Sequence, residues 1–257
     1  MKVKNLIKIL CIFVMLNPIN ITSKNNPPKN IKIDSGIKTP EINDFEEITI
    51  IKTKNKKEKN MKIEEYKIKQ EIKPASLSGI SDNQINDHWK LYEGYVKQVN
   101  SLNAELQKMA QDGKVNELIY SDRRRRYGFE YNGMILHEYY FGNLSAASQK
   151  LSDPDLIKAI EEAWGSFDKW KEDFIATGKT RSIGWAILYM DPQTKKLTNH
   201  FIAEHQDGII SGFKPILVMD VWEHAYMVDH SATDRAKYID AFLQNVDWST
   251  VEERFNK

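Results

Sequence analysis

The order of apolar and polar residues between positions 81 and 144 predicts two long amphipathic helices. In the first, the residues of one helix face recur at steps of three and four, and these are Ile85, His88, Tyr92, Tyr95, Val99, Leu102 and Leu106. Ser81 and Asp82 precede this run as candidate N-caps, and Asp112-Gly113 ends it. The second helix is predicted from about Val115, with one side formed by Met134, His137, Tyr140, Phe141 and Leu144. A short loop between two long helices predicts an antiparallel helical hairpin.

Beyond residue 150 the spacing of apolar residues changes from that of a helix to that of a strand and back. A helical pattern covers 152–174 and starts at Ser152 and Asp153-Pro154. Strands are predicted over 183–190, 197–203 and 216–221, and further helices from about Glu223 and over 234–246. Strands flanked by helices indicate an α+β fold. We therefore expect a helical hairpin domain (77–150) followed by a small α/β domain (151–257) with a three-stranded antiparallel sheet.

The N-terminus has the layout of an export signal. Lys2 and Lys4 precede an apolar run at 6–16, LIKILCIFVML, which is too short to span a bilayer comfortably. We interpret 1–22 as a signal or export segment and expect a periplasmic or secreted protein. Because Lys8 interrupts the run and no small-residue cleavage site follows, an uncleaved N-terminal anchor is the alternative.

Residues 23–76 are rich in Lys, Asn, Ile, Glu and Pro and contain only two aromatic residues, Phe45 and Tyr66. Such a segment buries too little apolar surface to offset its ordering entropy. We expect it to be a disordered linker, with the folded part beginning near Leu77.

Charge and cysteine content exclude several classes of protein. The chain of 257 residues carries 37 basic and 36 acidic side chains, a balance that argues against a nucleic-acid partner. The single cysteine, Cys11, excludes an intrachain disulfide and a thiolate metal cluster. Any metal site must therefore use histidines and carboxylates. We expect no stable membrane insertion of the folded part.

Two histidines, His88 and His137, lie on the buried faces of the two predicted helices. Asp220 and His224 bracket the end of the last strand, where they can converge on one point. A lone histidine on an apolar face is more often a hydrogen-bonded core residue, but two such histidines together with an Asp and a His indicate a metal site. Nitrogen and oxygen ligands without sulfur suit iron or manganese, and zinc stays open on ligand type alone.

Several blocks of the chain resemble one family, the iron/manganese superoxide dismutases. DVWEHAY at 220–226 resembles the family's signature, and ISDNQINDHW, LHEYYFGNL, SIGW and DRAKY resemble further family blocks. Their order and spacing agree over roughly 77–255. The resemblance implies dismutation of superoxide by alternate reduction and oxidation of one metal ion per subunit. It implies His88, His137, Asp220 and His224 as ligands with solvent as the fifth, and Trp185 as an aromatic wall of the site.

The resemblance also bears on which metal is used. Iron-type members carry a glutamine, bonded to the solvent ligand, at the position of Gly133, and manganese-type members supply it from a later segment that matches Gln206 here. The combination of Gly133 and Gln206 implies manganese or dual-metal use.

The family's gateway and dimer residues are matched only in part. The gateway tyrosine falls one position early, on Tyr95, with Tyr92 as the competing candidate, and Met227 replaces a family tyrosine. Glu223 matches the residue that reaches the partner's ligand histidine, which implies a homodimer, alone or paired into a tetramer. Such contacts are reciprocal at a two-fold interface. The basic run 123–126 either raises the encounter rate with an anion or is a solvated helix turn.

Two other functions fit parts of this pattern. A non-haem iron oxygenase would use two histidines and one carboxylate and leave His88 out of the site. A catalytically inactive dismutase-like scaffold would keep the ligands and bind a partner. Metal content and superoxide consumption, measured together, discriminate among the three.

Overall fold

The computed structural model describes residues 64–257; the predicted export segment and the first part of the predicted linker, 23–63, lie outside the described residues. The elements of the described part are the helices α1 (Asp82–Gln111), α2 (Leu118–Gly142), α3 (Pro154–Trp164), α4 (Phe167–Gly178), α5 (Arg235–Gln244) and α6 (Trp248–Asn256), and the strands β1 (Gly184–Met190), β2 (Leu197–Ala203) and β3 (Lys214–Asp220). This order confirms the predicted α+β fold.

The predicted hairpin is formed by α1 and α2, which pack along each other. The Ser81 side chain caps α1 by accepting a hydrogen bond from the Gln84 amide, as the sequence predicts. Helix α2 begins at Leu118, later than the predicted Val115. Contacts between Arg123 and Glu105 at one end of the hairpin and between His137 and His88 at the other show that the helices are antiparallel.

The helical pattern over 152–174 proves to be two helices, α3 and α4. The break lies at Gly165, whose φ of 85° is left-handed, a conformation that glycine adopts without steric cost. The Ser166 side chain then caps α4 by accepting from the Lys169 amide. Asp153 caps α3, with Pro154 at its first position, as predicted.

The sheet is three-stranded and antiparallel, as predicted, and the strands lie in the order β2-β1-β3 with β1 in the centre. All seven residues of β1 are buried, because the strand is covered on both faces. In the register of β1 with β3, Trp185 lies opposite Asp220. The central strand therefore places an indole beside the carboxylate at the end of β3.

The segment after β3 differs from the sequence prediction. The helix expected from about Glu223 is only a single 3-10 turn, Glu223–Ala225. In a continuing α-helix the His224 carbonyl would accept from the Val228 amide, but both groups are bonded to the side chain of Gln84 instead. Helix α6 was not identified from the sequence.

Residues 64–76 correct the predicted start of the folded part. The backbone amide and carbonyl of Tyr66 both bond to the carboxamide of Asn100, and the Lys69 amide donates to the Tyr92 hydroxyl. This part of the predicted linker is thus packed on the hairpin. One continuous core joins the predicted hairpin and α/β domains. None of the helices within 64–257 has the length and apolar character needed to cross a membrane.

Candidate metal centre

Four side chains from four elements converge in the core. His88 comes from α1, His137 from α2, Asp220 from the end of β3 and His224 from the following 3-10 turn. One ligand atom from each of these residues lies within 4.8 Å of every other. The structure therefore brings together the four ligands that the resemblance implies.

The imidazoles are arranged around one carboxylate oxygen. The Nε2 atoms of His88, His224 and His137 lie 3.0, 3.2 and 3.7 Å from Oδ2 of Asp220. Ligands bound to one ion at about 2.1 Å lie about 3 to 4 Å from one another. The separations of these nitrogens from the carboxylate oxygen match those of ligands that share an ion.

The orientation of His137 is fixed by its second nitrogen. Nδ1 lies 2.6 Å from the Gly133 carbonyl oxygen, and since a carbonyl only accepts, Nδ1 carries the hydrogen. In the neutral ring the lone pair is then on Nε2, the atom that faces Asp220. Among the described residues this buried Nε2 has no hydrogen-bond partner. A buried polar atom without a partner is costly, and a metal ion would satisfy it.

The protonation states of these groups also suit a cation. Burial lowers the pKa of His88, and burial followed by the charge of His88 lowers the pKa of His137 well below its usual range. Burial opposes ionisation of Asp220, but interactions with His224 and His88 outweigh it and hold the pKa of the carboxyl well below its usual range. The neutral imidazoles of His88 and His137 and an ionised, fully buried carboxylate contribute to a donor set that fits iron or manganese.

Aromatic rings surround the four ligands. The ring of Trp185 lies 5.1 Å from that of His137, and Trp222 stacks on His224 at 5.4 Å. Phe141 and Tyr140 pack against His88 at 5.0 and 4.9 Å. Trp185 thus has the wall position that the resemblance implies. With these rings around them, His88, His137 and Asp220 are buried from water, which strengthens electrostatic interactions at the centre.

Gln206 does not have the position that the resemblance implies. It lies exposed in the turn after β2, whereas the preceding residue, His205, is fully buried beside the centre. The turn is closed by a bridge between Ala203 and Asp207, and its geometry points residue 205 inward. Gly133 has no side chain that could replace that of Gln206. Neither of the two positions at which the family carries the glutamine therefore provides one at this centre. His205 was not singled out from the sequence, where its place directly before Gln206 was the one signal that could have identified it.

His205 connects Trp185 with Tyr95. The indole Nε1 of Trp185 donates to Nδ1 of His205 at 3.0 Å, and Nε2 of His205 lies 2.6 Å from the Tyr95 hydroxyl oxygen. Burial lowers the pKa of His205 to about 4, so the ring is neutral at pH 7. Since Nδ1 accepts, the hydrogen is on Nε2 and is donated to Tyr95.

The structure discriminates between the two gateway candidates. The ring of Tyr95 lies 5.0 Å from that of His137, on the side of His205. The Tyr92 hydroxyl points elsewhere: it donates to Glu138 at 3.1 Å and accepts from the Lys69 amide. Tyr95 borders the centre, and Tyr92 is a core residue that anchors residues 64–76.

Three predicted surface features lie where partners or solvent can reach them. Glu223 is exposed beside His224, and Met227 is 49 % exposed. In the basic run, Arg123 bonds to Glu105 and Arg126 bonds to Glu130, which favours a paired helix surface over a bare positive rim.

Comparison with known proteins finds one matching family model and several similar proteins. Residues 152–254 match the family model described as "Iron/manganese superoxide dismutases, C-terminal domain". The chain is 35 % identical over 202 residues to Superoxide dismutase (Fe) of Aquifex pyrophilus, across 77 % of this chain and 94 % of that protein. It is 33 % identical over 175 residues to Superoxide dismutase (Mn/Fe) of Aeropyrum pernix, across 66 % and 79 %. With Superoxide dismutase (Mn) of Haloarcula marismortui it shares 37 % identity over 125 residues, across 49 % and 61 %. The metals in these names differ, so similarity alone does not select the ion.

Proposed function

We propose, because the chain belongs to the iron/manganese superoxide dismutase family, that its centre converts two superoxide anions and two protons into dioxygen and hydrogen peroxide. The observation that carries this function is the convergence of three imidazole Nε2 atoms on one buried carboxylate oxygen. His88 belongs to this group at 3.0 Å from Asp220, which argues against an oxygenase site of only two histidines and one carboxylate.

His88, His137, Asp220 and His224 would hold one manganese or iron ion. When bound, the ion supplies the one-electron couple that one superoxide reduces and a second reoxidises. The ionised Asp220 offsets the positive charge within the core. A hydrogen bond from the Trp222 amide to its other oxygen, Oδ1, at 2.8 Å orients the carboxylate.

The chain's own residues also place a proton near the centre. The Tyr95 hydroxyl oxygen accepts the Nε2 hydrogen of His205, so the hydroxyl proton of Tyr95 stays available for donation. Burial raises the pKa of Tyr95 above its usual value, which keeps this proton in place at neutral pH. We assign Tyr95 and His205 to proton delivery, with Trp185 fixing the His205 ring.

The proposed metal is manganese or iron without preference. The expectation of manganese or dual-metal use rested on the combination of Gly133 with Gln206, and Gln206 lies exposed in the structure. His205 belongs to neither of the two glutamine patterns, and so gives no reason to favour one ion.

We also propose a homodimer with Glu223 at its interface. The support is that Glu223 is exposed next to the ligand His224, as a residue that reaches across an interface must be. Light scattering on the wild type and on Glu223→Ala measures this. A dimer that weakens in the variant is expected, and a monomeric wild type contradicts the proposal.

Export stays a proposal that rests on the basic residues and apolar run at 1–16. Fractionation of producing cells, with the mass of the mature N-terminus, tests it. Activity outside the cytoplasm and a chain shortened near residue 22 are expected, and a full-length cytoplasmic protein contradicts export.

The central experiment compares equal substitutions inside and outside the centre. His137→Gln removes a ligand, whereas His200→Gln removes a histidine of β2 that lies outside the cluster. Bound metal and superoxide consumption are measured on the same samples. We expect both to fall in His137→Gln and to stay at the wild-type level in His200→Gln. Full metal loading of the wild type without superoxide consumption would favour the inactive scaffold.

A further inference from the structure

The side chain of Gln84 lies inside a gap in the backbone hydrogen bonding that follows the ligand His224. Its Nε2 donates to the His224 carbonyl at 2.6 Å, and its Oε1 accepts from the Val228 amide at 2.9 Å. These two backbone groups are four residues apart and would bond to each other in an α-helix. One carboxamide therefore replaces a helical hydrogen bond.

The flanking hydrogen bonds show that the gap is local. The Met227 amide donates to the Glu223 carbonyl at 2.9 Å, and the His230 amide donates to the Tyr226 carbonyl at 2.8 Å. Both pairs are four residues apart, as in an α-helix. The segment is thus helix-like on both sides. It is opened between His224 and Val228, where Gln84 enters it, and at the next pair, where the Asp229 amide donates to Tyr226 instead of Ala225.

His224 depends more on its backbone than the other ligand histidines do. Its side chain is 22 % exposed, against 1 % for His88 and 0 % for His137. Packing alone therefore restrains its imidazole less. Gln84 itself is fully buried and lies one helical turn before His88, so it connects the element of one ligand to the backbone of another.

We propose that Gln84 is a positioning residue for the metal ligand His224: its carboxamide keeps the segment after Asp220 open and so aims the His224 imidazole at the shared centre. Without the carboxamide, the His224 carbonyl and the Val228 amide are free to bond to each other, and the turn that carries the imidazole rewinds. This inference rests on the proposed metal centre.

A second anchor in the same place provides the matched control. The Asp229 carboxylate accepts hydrogen bonds from the Ser81 amide at 2.7 Å and from the Ser81 hydroxyl. It ties the same segment to the same end of α1, but it does not touch a ligand residue. A substitution of Asp229 therefore weakens the attachment of this segment to α1 without removing the contact between Gln84 and His224.

The experiment compares Gln84→Met with Asp229→Asn in the full chain, each close in size to the residue it replaces. The readouts are manganese(II) affinity by competition with a chelator, the visible spectrum of the oxidised manganese form, and urea unfolding of the metal-free protein. We expect Gln84→Met to bind manganese about tenfold more weakly, as for other residues that orient ligands, with a shifted spectrum. Asp229→Asn should lower stability and keep wild-type affinity and spectrum.

Each result of this experiment either supports or overturns the inference. Wild-type affinity and spectrum in Gln84→Met overturn the inference, and so does an equal loss of affinity in Asp229→Asn. If Gln84→Met does not fold, Gln84→Asn, whose shorter carboxamide cannot reach both backbone groups, must show the same loss of affinity or the inference fails. A wild type that binds manganese without consuming superoxide overturns the proposed function but not this inference, which is measured by metal affinity.

Discussion

Replacement of Gly133 by alanine tests the packing of Tyr95 at the centre. A Cβ atom at Gly133 would lie 2.7 Å from two ring carbons of Tyr95, whereas carbon atoms in contact prefer about 3.5 to 4.0 Å. The ring must therefore shift by about 1 Å. Such a shift stretches the 2.6 Å contact between the Tyr95 hydroxyl and His205 beyond the range of a good hydrogen bond.

The expected change in the free energy of unfolding combines two destabilising contributions and one stabilising contribution. Overpacking costs about 1–3 kcal/mol, and a buried hydrogen-bonding group left without its partner costs about 1–3 kcal/mol. Alanine is favoured over glycine inside a helix by about 0.5–1 kcal/mol. Since the chain relaxes in part, we expect Gly133→Ala to lower the free energy of unfolding by about 2 kcal/mol.

Gly128 of the same helix, α2, provides a control whose replacement by alanine should stabilise the protein. A Cβ atom at Gly128 meets nothing within 4 Å, so Gly128→Ala should raise the free energy of unfolding by about 0.5–1 kcal/mol. Urea unfolding of both metal-free variants gives the two values. Superoxide consumption per bound ion should fall in Gly133→Ala alone. If Gly133→Ala stabilises the protein as Gly128→Ala does, Tyr95 does not pack on Gly133 and the reasoning is wrong.

Three further predictions concern charge. Arg126 lines a cleft of about 660 Å³ together with Tyr95, but it is paired with Glu130, so Arg126→Gln should change kcat/KM for superoxide by less than about twofold at low salt, as should Arg125→Gln outside this cleft. A larger loss in Arg126→Gln alone that disappears at high salt would show instead that Arg126 attracts the anion. The Leu156 amide lowers the pKa of Asp153 in the folded state, so its stabilisation is present above about pH 4 and lost as pH falls through the folded value. Urea unfolding of Asp153→Ala should thus show a loss of about 1 kcal/mol at pH 7 that disappears in acid, and a constant loss contradicts this. Burial lowers the pKa of Arg254 to about 10, and its guanidinium donates to two carbonyls and an amide oxygen. Its replacement by methionine should cost about 3 kcal/mol in urea unfolding, and a change below about 1 kcal/mol would show that these bonds add nothing.

The regular elements could be predicted wherever burial on one side produces a period in the sequence. The faces of α1 and α2 and the buried strands are of this kind, and the ligands His88 and His137 lie on those faces. The turn after β3 could not be predicted in this way. The sequence after β3 has the pattern of a helix, but the side chain of Gln84 interrupts the helix there. Gln84 lies 140 residues away from His224 in the sequence.

The start of the folded part was missed for a related reason. Composition describes the average character of 23–76, which is polar and basic. The part that packs does so through main-chain groups of Tyr66 and Lys69, which bond to the side chains of Asn100 and Tyr92, and through only a few apolar side chains, Ile68 and Ile72, which contact the core. Backbone hydrogen bonds of this kind leave no pattern of apolar residues.

The one-residue difference between Gln206 and His205 changes the chemistry available at the centre. A carboxamide has two N–H hydrogens and one oxygen, and so can accept from an indole and still donate twice. A neutral imidazole has one donor and one acceptor. In His205 the acceptor nitrogen is used by the Trp185 indole, and the N–H is used by the Tyr95 hydroxyl oxygen. His205 therefore has no second hydrogen to offer to a group bound at the ion. If Tyr95 delivers the proton as proposed, its hydroxyl has to supply that hydrogen bond, and we expect proton delivery to depend on Tyr95 more directly than it would with a glutamine in the same place.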